Sequence, residues 1–229
     1  MMRLWDSLQA LPASARALVV AAPWLGSGQS LGAVQAAALT GFALSFGDRI
    51  TCHDRCPDCD TALGVQLSAQ ALIAAQEAAP EVAGTLSHDG WTVRYHLPTQ
   101  TDLARLDRAS GPERMRRDLL RATVDHVTGD TRTHPPESLP PGVVLALAER
   151  MEQEDPLAAA EMALDCPECG ASWQSGFDAC AVLLARLEAW ARRTLWEVHQ
   201  LAMRYGWSEA RLLEMAPVRR EAYLLMDVP

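Results

Sequence analysis

Two short stretches of the chain spell the same chemistry. "RCPDCDTA" sets Cys56 and Cys59 at the C-x2-C spacing around Pro57 and Asp58, and "DCPECGAS" repeats the pattern with Cys166, Pro167, Glu168 and Cys169. A C-x2-C turn offers two thiolates, half of the tetrahedral set that a structural zinc ion takes from Cys or Cys/His residues. Cys56, Cys59, Cys166 and Cys169 are therefore the expected zinc ligands. Four thiolates leave no open coordination position, so such an ion holds structure and does not activate water. Half-sites of a zinc ribbon usually lie about 15–20 residues apart, whereas more than a hundred residues separate Cys59 from Cys166. If the halves meet, everything between them is an insert looped out of one body.

The local sequence suits such turns. A proline after the first cysteine and a residue that accepts the left-handed backbone after the second give a tight knuckle whose amides point at the sulfurs. Gly170 fills that second position in one copy. In the other, Asp60 stands there, a residue that tolerates the conformation less well than glycine but better than most. Cys52 and His53, just upstream, are the competing ligands for the first half-site, against a reading as strand residues beside it. Cys180 falls on an expected helix and reads as a small core residue. A redox role for either C-x2-C is disfavoured, because such motifs sit at a strand-to-helix junction and neither knuckle runs straight into a helix.

Hydropathy periodicity organises the rest. Residues 1–46 are Ala- and Leu-rich with interruptions at Pro12, Pro23, Gly26 and Gly28, which predicts two or three short helices. "GSGQSLG" within it lacks both the lysine and the flanking strand of a phosphate loop and reads as a loop. Leu63, Val65 and Leu67 alternate with Gly64 and Gln66, a strand leaving the first knuckle. "SAQALIAAQEAAP" then predicts a helix from the cap Ser68 to the stop Pro80, and "GWTVRYHLP" another strand with Trp91, Val93 and Tyr95 on one face. A helix capped by Thr101 is expected in "TDLARLD". "GPERMRRDLLRATVDHV" is expected to be helical from Pro112 onward, with Arg114, Arg117 and Arg121 sharing one solvated, ion-paired face. "GDTRTHPPESLPPG" reads as an extended linker and "GVVLALAERMEQED" as a helix. After the second knuckle, Trp173 and Phe177 flank a short β segment. From Asp178 to about Tyr205, Leu183, Leu187, Trp190, Thr194, Val198 and Leu201 line up the buried stripe of a long helix. Gly206 ends it, and Ser208 and Pro217 begin two further helices.

The expected fold is α+β and predominantly α. It comprises an N-terminal helical segment (1–46), a discontinuous four-Cys zinc ribbon (47–68 and 160–178), an α/β insert (69–159) and a C-terminal helical hairpin with a tail (179–229). The net charge of −9 argues against a general role on nucleic acid, where phosphates are met by an electropositive face. All 20 basic residues are arginine, so no lysine is present for a phosphate-loop, Schiff-base or kinase-type site. The only near-match to a leader segment, "ALVVAAPWLG", is broken by Pro23 and Gly26 and is too short to span a membrane, which predicts a cytoplasmic protein. Reduced cysteines in that compartment favour metal over disulfide. The expectation is that no G-x-S-x-G, no H-E-x-x-H pair and no cluster of carboxylates is present, and His199 beside Glu197 and His126 beside Asp125 point in different directions on a helix. The expectation is a protein that is not an enzyme and takes no small-molecule substrate.

The motifs, in order, resemble a known family. "CPDCDTALGVQLS", "YHLPTQTDLARL", "MEQEDPLAAAEMALDCPECGASWQSGFD" and "LEAWARRTLWEVHQLAMRYGWSEARLLEMAPVRREAYL", spanning about residues 50–225, are similar to the zinc-ribbon baseplate proteins of contractile phage tails and contractile injection systems. More distantly they are similar to T-even-type baseplate hub assembly proteins. The resemblance implies a structural or assembly protein of the baseplate, with zinc on the four cysteines and with other baseplate or tail proteins as partners, and a place in the cytoplasm or in the tail-like particle. Asp60, where glycine is common, and the first 45 residues depart from the pattern. The alternatives are a zinc-ribbon nucleic-acid or transcription-associated module and a disulfide oxidoreductase.

Overall fold

The chain alternates helices with short antiparallel hairpins, as its switching periodicity demands. In the computed structural model, residues 1–25, 30–76, 83–106, 111–130 and 132–226 are described. Within them the fold is mixed α/β and mostly helical, with small sheets. Two compact units form, Pro12–Leu183 and Met1–Leu11 with Leu184–Pro229.

The larger unit begins with α2 (Ala13–Ala21), following α1 (Met2–Gln9) of the other unit, and continues through a 3-10 turn (Ala22–Trp24) into α3 (Leu31–Phe46). Ser30 caps α3 by accepting from the Ala33 amide at 3.2 Å. The helix is apolar around most of its circumference and buries Val34, Ala37, Ala38, Leu39 and Phe42. Next come the hairpin β1 (Arg49–Arg55) and β2 (Ala62–Ser68), and α4 (Ala69–Ala75). The alternation expected of β2 is present, with Leu63, Val65 and Leu67 half-buried and Ala62, Gly64 and Gln66 exposed. α4 ends at Ala75, with Gln76 as its C-cap, short of the expected stop at Pro80, which lies outside the described residues.

The insert is a four-stranded antiparallel sheet in the order β3 (Ala83–His88), β4 (Trp91–His96), β5 (Val124–Gly129), β6 (Arg132–His134). Three helices accompany it: α5 (Gln100–Arg105), α6 (Pro112–Thr123) and α7 (Pro141–Glu154). Val93, Tyr95, Leu97, Val124, Val127, Leu139, Val143 and Leu147 form its core. Three expectations are corrected here. The helix beginning at Pro112 ends at Thr123, and Val124 onward is strand. Its β-branched residues pair with β4, and a bulge between Arg94 and Tyr95 brings both Val124 and Val127 into the core. The supposed linker contributes β6, a 3-10 turn (Pro136–Ser138) and the buried Leu139. α5 is capped by Thr99, not Thr101, through a capping box with Asp102.

The chain then forms the hairpin β7 (Glu161–Asp165) and β8 (Ser172–Gly176) and enters α8 (Ala179–Tyr205). Side-chain clips tie distant segments of this unit together. The Asp155 carboxylate, fully buried, accepts from the Gly32 amide at 3.0 Å and from Gln76 Nε2 at 2.6 Å, while Gln76 Oε1 accepts from the Leu157 amide at 3.0 Å. One acid thereby joins the start of α3, the end of α4 and the approach to β7. A Cβ at Gly32 would fall 2.0 Å from Asp155 Oδ1 and 2.7 Å from its Cγ. Gly32→Ala is thus expected to destabilise the fold by about 1–3 kcal/mol, the usual cost of overpacking, read as a lower urea midpoint with unchanged slope. Gln35 clips α3 to α8 in the same manner, its Oε1 accepting from the Ala179 amide at 2.7 Å and its Nε2 donating to Asp178 Oδ1 at 3.3 Å.

In the smaller unit, α9 (Glu209–Glu214) and α10 (Pro217–Leu225) follow α8. The expected stripe on α8 is buried at Leu183, Leu187, Thr194, Val198 and Leu201, whereas Trp190 is half-buried. Gly206 turns the chain at φ +68°, and Leu212 of α9 packs on Val198 and Leu201. Ser208 stands at the N-cap of α9 without a side-chain hydrogen bond, and Pro217 opens α10 as expected.

Candidate metal centre

The sulfurs of Cys56, Cys59, Cys166 and Cys169 all lie within 4.8 Å of one another. Cys56 Sγ is 3.5 Å from Cys169 Sγ, and Cys59 Sγ is 3.6 Å from Cys166 Sγ. A disulfide would need about 2.05 Å. Four sulfurs held tetrahedrally at about 2.3 Å from one zinc ion stand about 3.8 Å from each other, which is the scale seen here. The two half-sites therefore converge into a set that could hold a metal ion. Cys52 and His53 sit on β1 outside it, the first half-buried opposite Val65, the second exposed.

Each knuckle is built alike. The Cys56 amide donates to Thr61 O at 3.0 Å and the Asp60 amide to Cys56 O at 3.0 Å. Correspondingly, Cys166 N donates to Ala171 O at 2.8 Å and Gly170 N to Cys166 O at 3.0 Å. The residue after the second cysteine is left-handed in both, with φ +56° at Asp60 and +76° at Gly170. Glycine takes that backbone freely. Asp60 is steadied by Arg55, whose Nη1 donates to its carbonyl at 3.1 Å and to its carboxylate at 2.9 Å.

The likeness extends beyond the turns. Ser68 follows Cys56, and Asp178 follows Cys166, at the same interval of twelve residues. Each caps the helix after its hairpin, accepting at 3.1 Å from the amide three residues on, Ala71 and Ala181 respectively. The close sulfur pairs are crosswise, first cysteine of one knuckle to second of the other, so exchanging the two copies maps the set onto itself. The seam between the hairpins is also polar, because the Asp54 carboxylate on β1 accepts from Trp173 Nε1 on β8 at 3.4 Å. Hydrogen bonds from Ser175, the Arg55 amide and Trp173 hold the Asp54 carboxyl below its usual range.

The exposed thiols of the cluster have unlike surroundings. Hydrogen bonding from Thr61, first through its hydroxyl, brings the Cys59 thiol down to about 6. The Ala171 amide pulls the Cys169 thiol down too, but its hydrogen bonds with Cys59 and Cys56 outweigh that and push it up to about 12. A divalent cation is what would let all four ionise together. Cys180 is buried on α8, its thiol pushed up to about 12 by burial and then by Asp178, as befits a core residue.

Other polar groups are placed apart from this centre. Glu197 pairs with Arg193 and Arg220, not His199, and Asp125 faces His96, not His126. His96 was not singled out by its sequence context, yet its Nε2 and Nδ1 lie 3.3 Å from Asp102 and 3.3 Å from Asp125. Burial pushes the Asp102 carboxyl up, but hydrogen bonds from the Thr99 side chain and amide prevail and leave it lowered. The Arg face of α6 is ion-paired in part, Arg114 and Arg121 with Asp118, and Arg121 also with Glu137, whereas Arg117 is in no ion pair among the described residues. Residues 28–32 do spell G-x-S-x-G, the nucleophile-elbow pattern, which corrects the expectation that it is absent. Ser30 is nevertheless buried, its hydroxyl spent on capping α3, and the nearest described element before it is a 3-10 turn in place of the strand that an elbow requires. Among the described residues no helix is long and apolar enough to cross a membrane.

No family model matches the chain, nor does any curated protein or solved structure.

Proposed function

We propose that this is a non-enzymatic structural or assembly protein in which one zinc ion closes two lookalike hairpins, and that it serves the baseplate of a contractile tail-like machine. The observation that carries the zinc reading is the convergence of four sulfurs from two knuckles more than a hundred residues apart. All-thiolate donors favour zinc among the common divalent ions, and a closed set of four favours a structural over a catalytic role. The clamp then fixes both ends of the insert at one point.

The assembly reading is supported by the motif resemblance and by the C-terminal helices. Trp196 and Met203 on α8, and Val218 and Leu225 on α10, recur at seven-residue steps and are all largely exposed. Large apolar groups clustered on exposed helix faces mark protein interfaces. Affinity-tagged protein recovered from its native host during tail assembly is expected to carry tail or baseplate proteins in stoichiometric amounts. Trp196→Glu combined with Met203→Glu should lose them while keeping metal content and helical signal. Recovery of nucleic acid instead, released by salt, would favour a nucleic-acid module.

A further inference from the structure

The smaller unit carries a cleft of about 230 Å³ lined by Trp207, Arg211, Glu214, Met215, Arg219 and Tyr223. Its aromatic wall is built by contact: Trp207 stacks on Tyr205 at 4.7 Å between ring centres and meets Tyr223 edge-on at 4.9 Å. Each arginine lies over one of these rings, Arg211 at 5.5 Å from Trp207 and Arg219 at 5.9 Å from Tyr223. Neither forms an ion pair among the described residues, whereas Arg114, Arg121, Arg150, Arg192, Arg193 and Arg220 all do.

A guanidinium held over a ring face by cation–π attraction still has N–H donors to offer, which suits a carboxylate. Charge is also distributed unevenly along the chain. The unit holding the cleft has 8 arginines against 7 acidic residues, and Pro12–Leu183 has 12 against 22. We infer that the Trp207–Tyr223 cleft binds an acidic, aromatic-containing peptide segment of a partner protein, its carboxylates on Arg211 and Arg219 and its apolar side chain against the rings. Glu214, on the same lining, favours a peptide over a phosphate chain, because its carboxylate can accept a backbone N–H, which a phosphate chain lacks. The inference rests on the C-terminal helices being the partner surface, and it names the partner's chemistry.

The test uses the full chain and a fluorescein-labelled eight-residue peptide of alternating aspartate and phenylalanine, read by anisotropy. Binding is expected to weaken at least tenfold in the Arg211→Gln, Arg219→Gln double variant, and also when each aspartate of the peptide is replaced by asparagine or when salt is raised from 50 to about 500 mM. Far-UV circular dichroism verifies that the exposed substitutions leave the fold intact. Equal binding of the asparagine peptide, or of the double variant, would overturn the assignment, as would tighter binding of a dT8 oligonucleotide. Capture of tail proteins that survives the double variant would sink this site alone and leave the assembly role standing.

Discussion

Cys166→Ser is expected to lose the metal and to destabilise the Pro12–Leu183 unit by more than about 4 kcal/mol, beyond the range of an ordinary substitution. Cys166 is buried and 3.6 Å from Cys59, so a serine there removes a thiolate that no neighbour can supply. Binding of structural zinc is folding free energy, about 10–16 kcal/mol in isolated fingers. Here part of the fold is supported by cores remote from the cysteines, so only part of that energy is at stake. Urea unfolding followed by circular dichroism, with and without a chelator, measures it. Cys52→Ser is the control, since Cys52 lies outside the set and should keep both metal and most of the stability. Acid should act as the chelator does, because protons compete with the ion for thiolates.

Arg220→Ala is expected to cost about 3–5 kcal/mol in the smaller unit, the range for breaking a buried ion pair. The Arg220 guanidinium is buried, with Nη1 donating to Met215 O at 2.7 Å and Leu212 O at 3.3 Å and Nε to Glu197 Oε2 at 3.3 Å. It therefore satisfies the carbonyls at the end of α9 and fastens α10 to α8. Removing it orphans the Met215 carbonyl, while Leu212 O keeps the Met215 amide at 3.2 Å, and leaves Glu197 with only the largely exposed Arg193. Combining Arg220→Met with Glu197→Leu should recover part of the loss, because no uncompensated buried charge then remains. Thermal unfolding of the four proteins gives the coupling; additivity of the two single effects would contradict it.

How far these features could be read from the sequence depended on whether the signal was local. The knuckles, the β2 alternation, most of the α8 stripe, the cap at Ser68 and the helix start at Pro217 are each encoded within a few residues, and the structure shows them in place. Convergence of the cysteines was inferable only from the repeated motif, since nothing local joins residue 59 to residue 166. The strand β5 follows α6 without a break signal in the sequence, and its two buried residues, Val124 and Val127, are three apart, a step that suits a helix as well. In the fold that spacing is produced by a bulge, which depends on pairing with β4. β6 lies among prolines, and α5 is capped by Thr99 where Thr101 was expected, although Asp102, three residues after Thr99, completes a local capping box. The Asp155, Gln35 and Arg220 clips gave no local signal, their partners being far along the chain.

The most direct test of the central claim is metal analysis of protein purified under reducing conditions, joined to zinc-edge X-ray absorption. One zinc per chain, surrounded by four sulfurs at about 2.3 Å, is the expected result. Protein free of metal yet fully folded, or a zinc shell containing nitrogen or oxygen in place of any of the four sulfurs, would contradict the account.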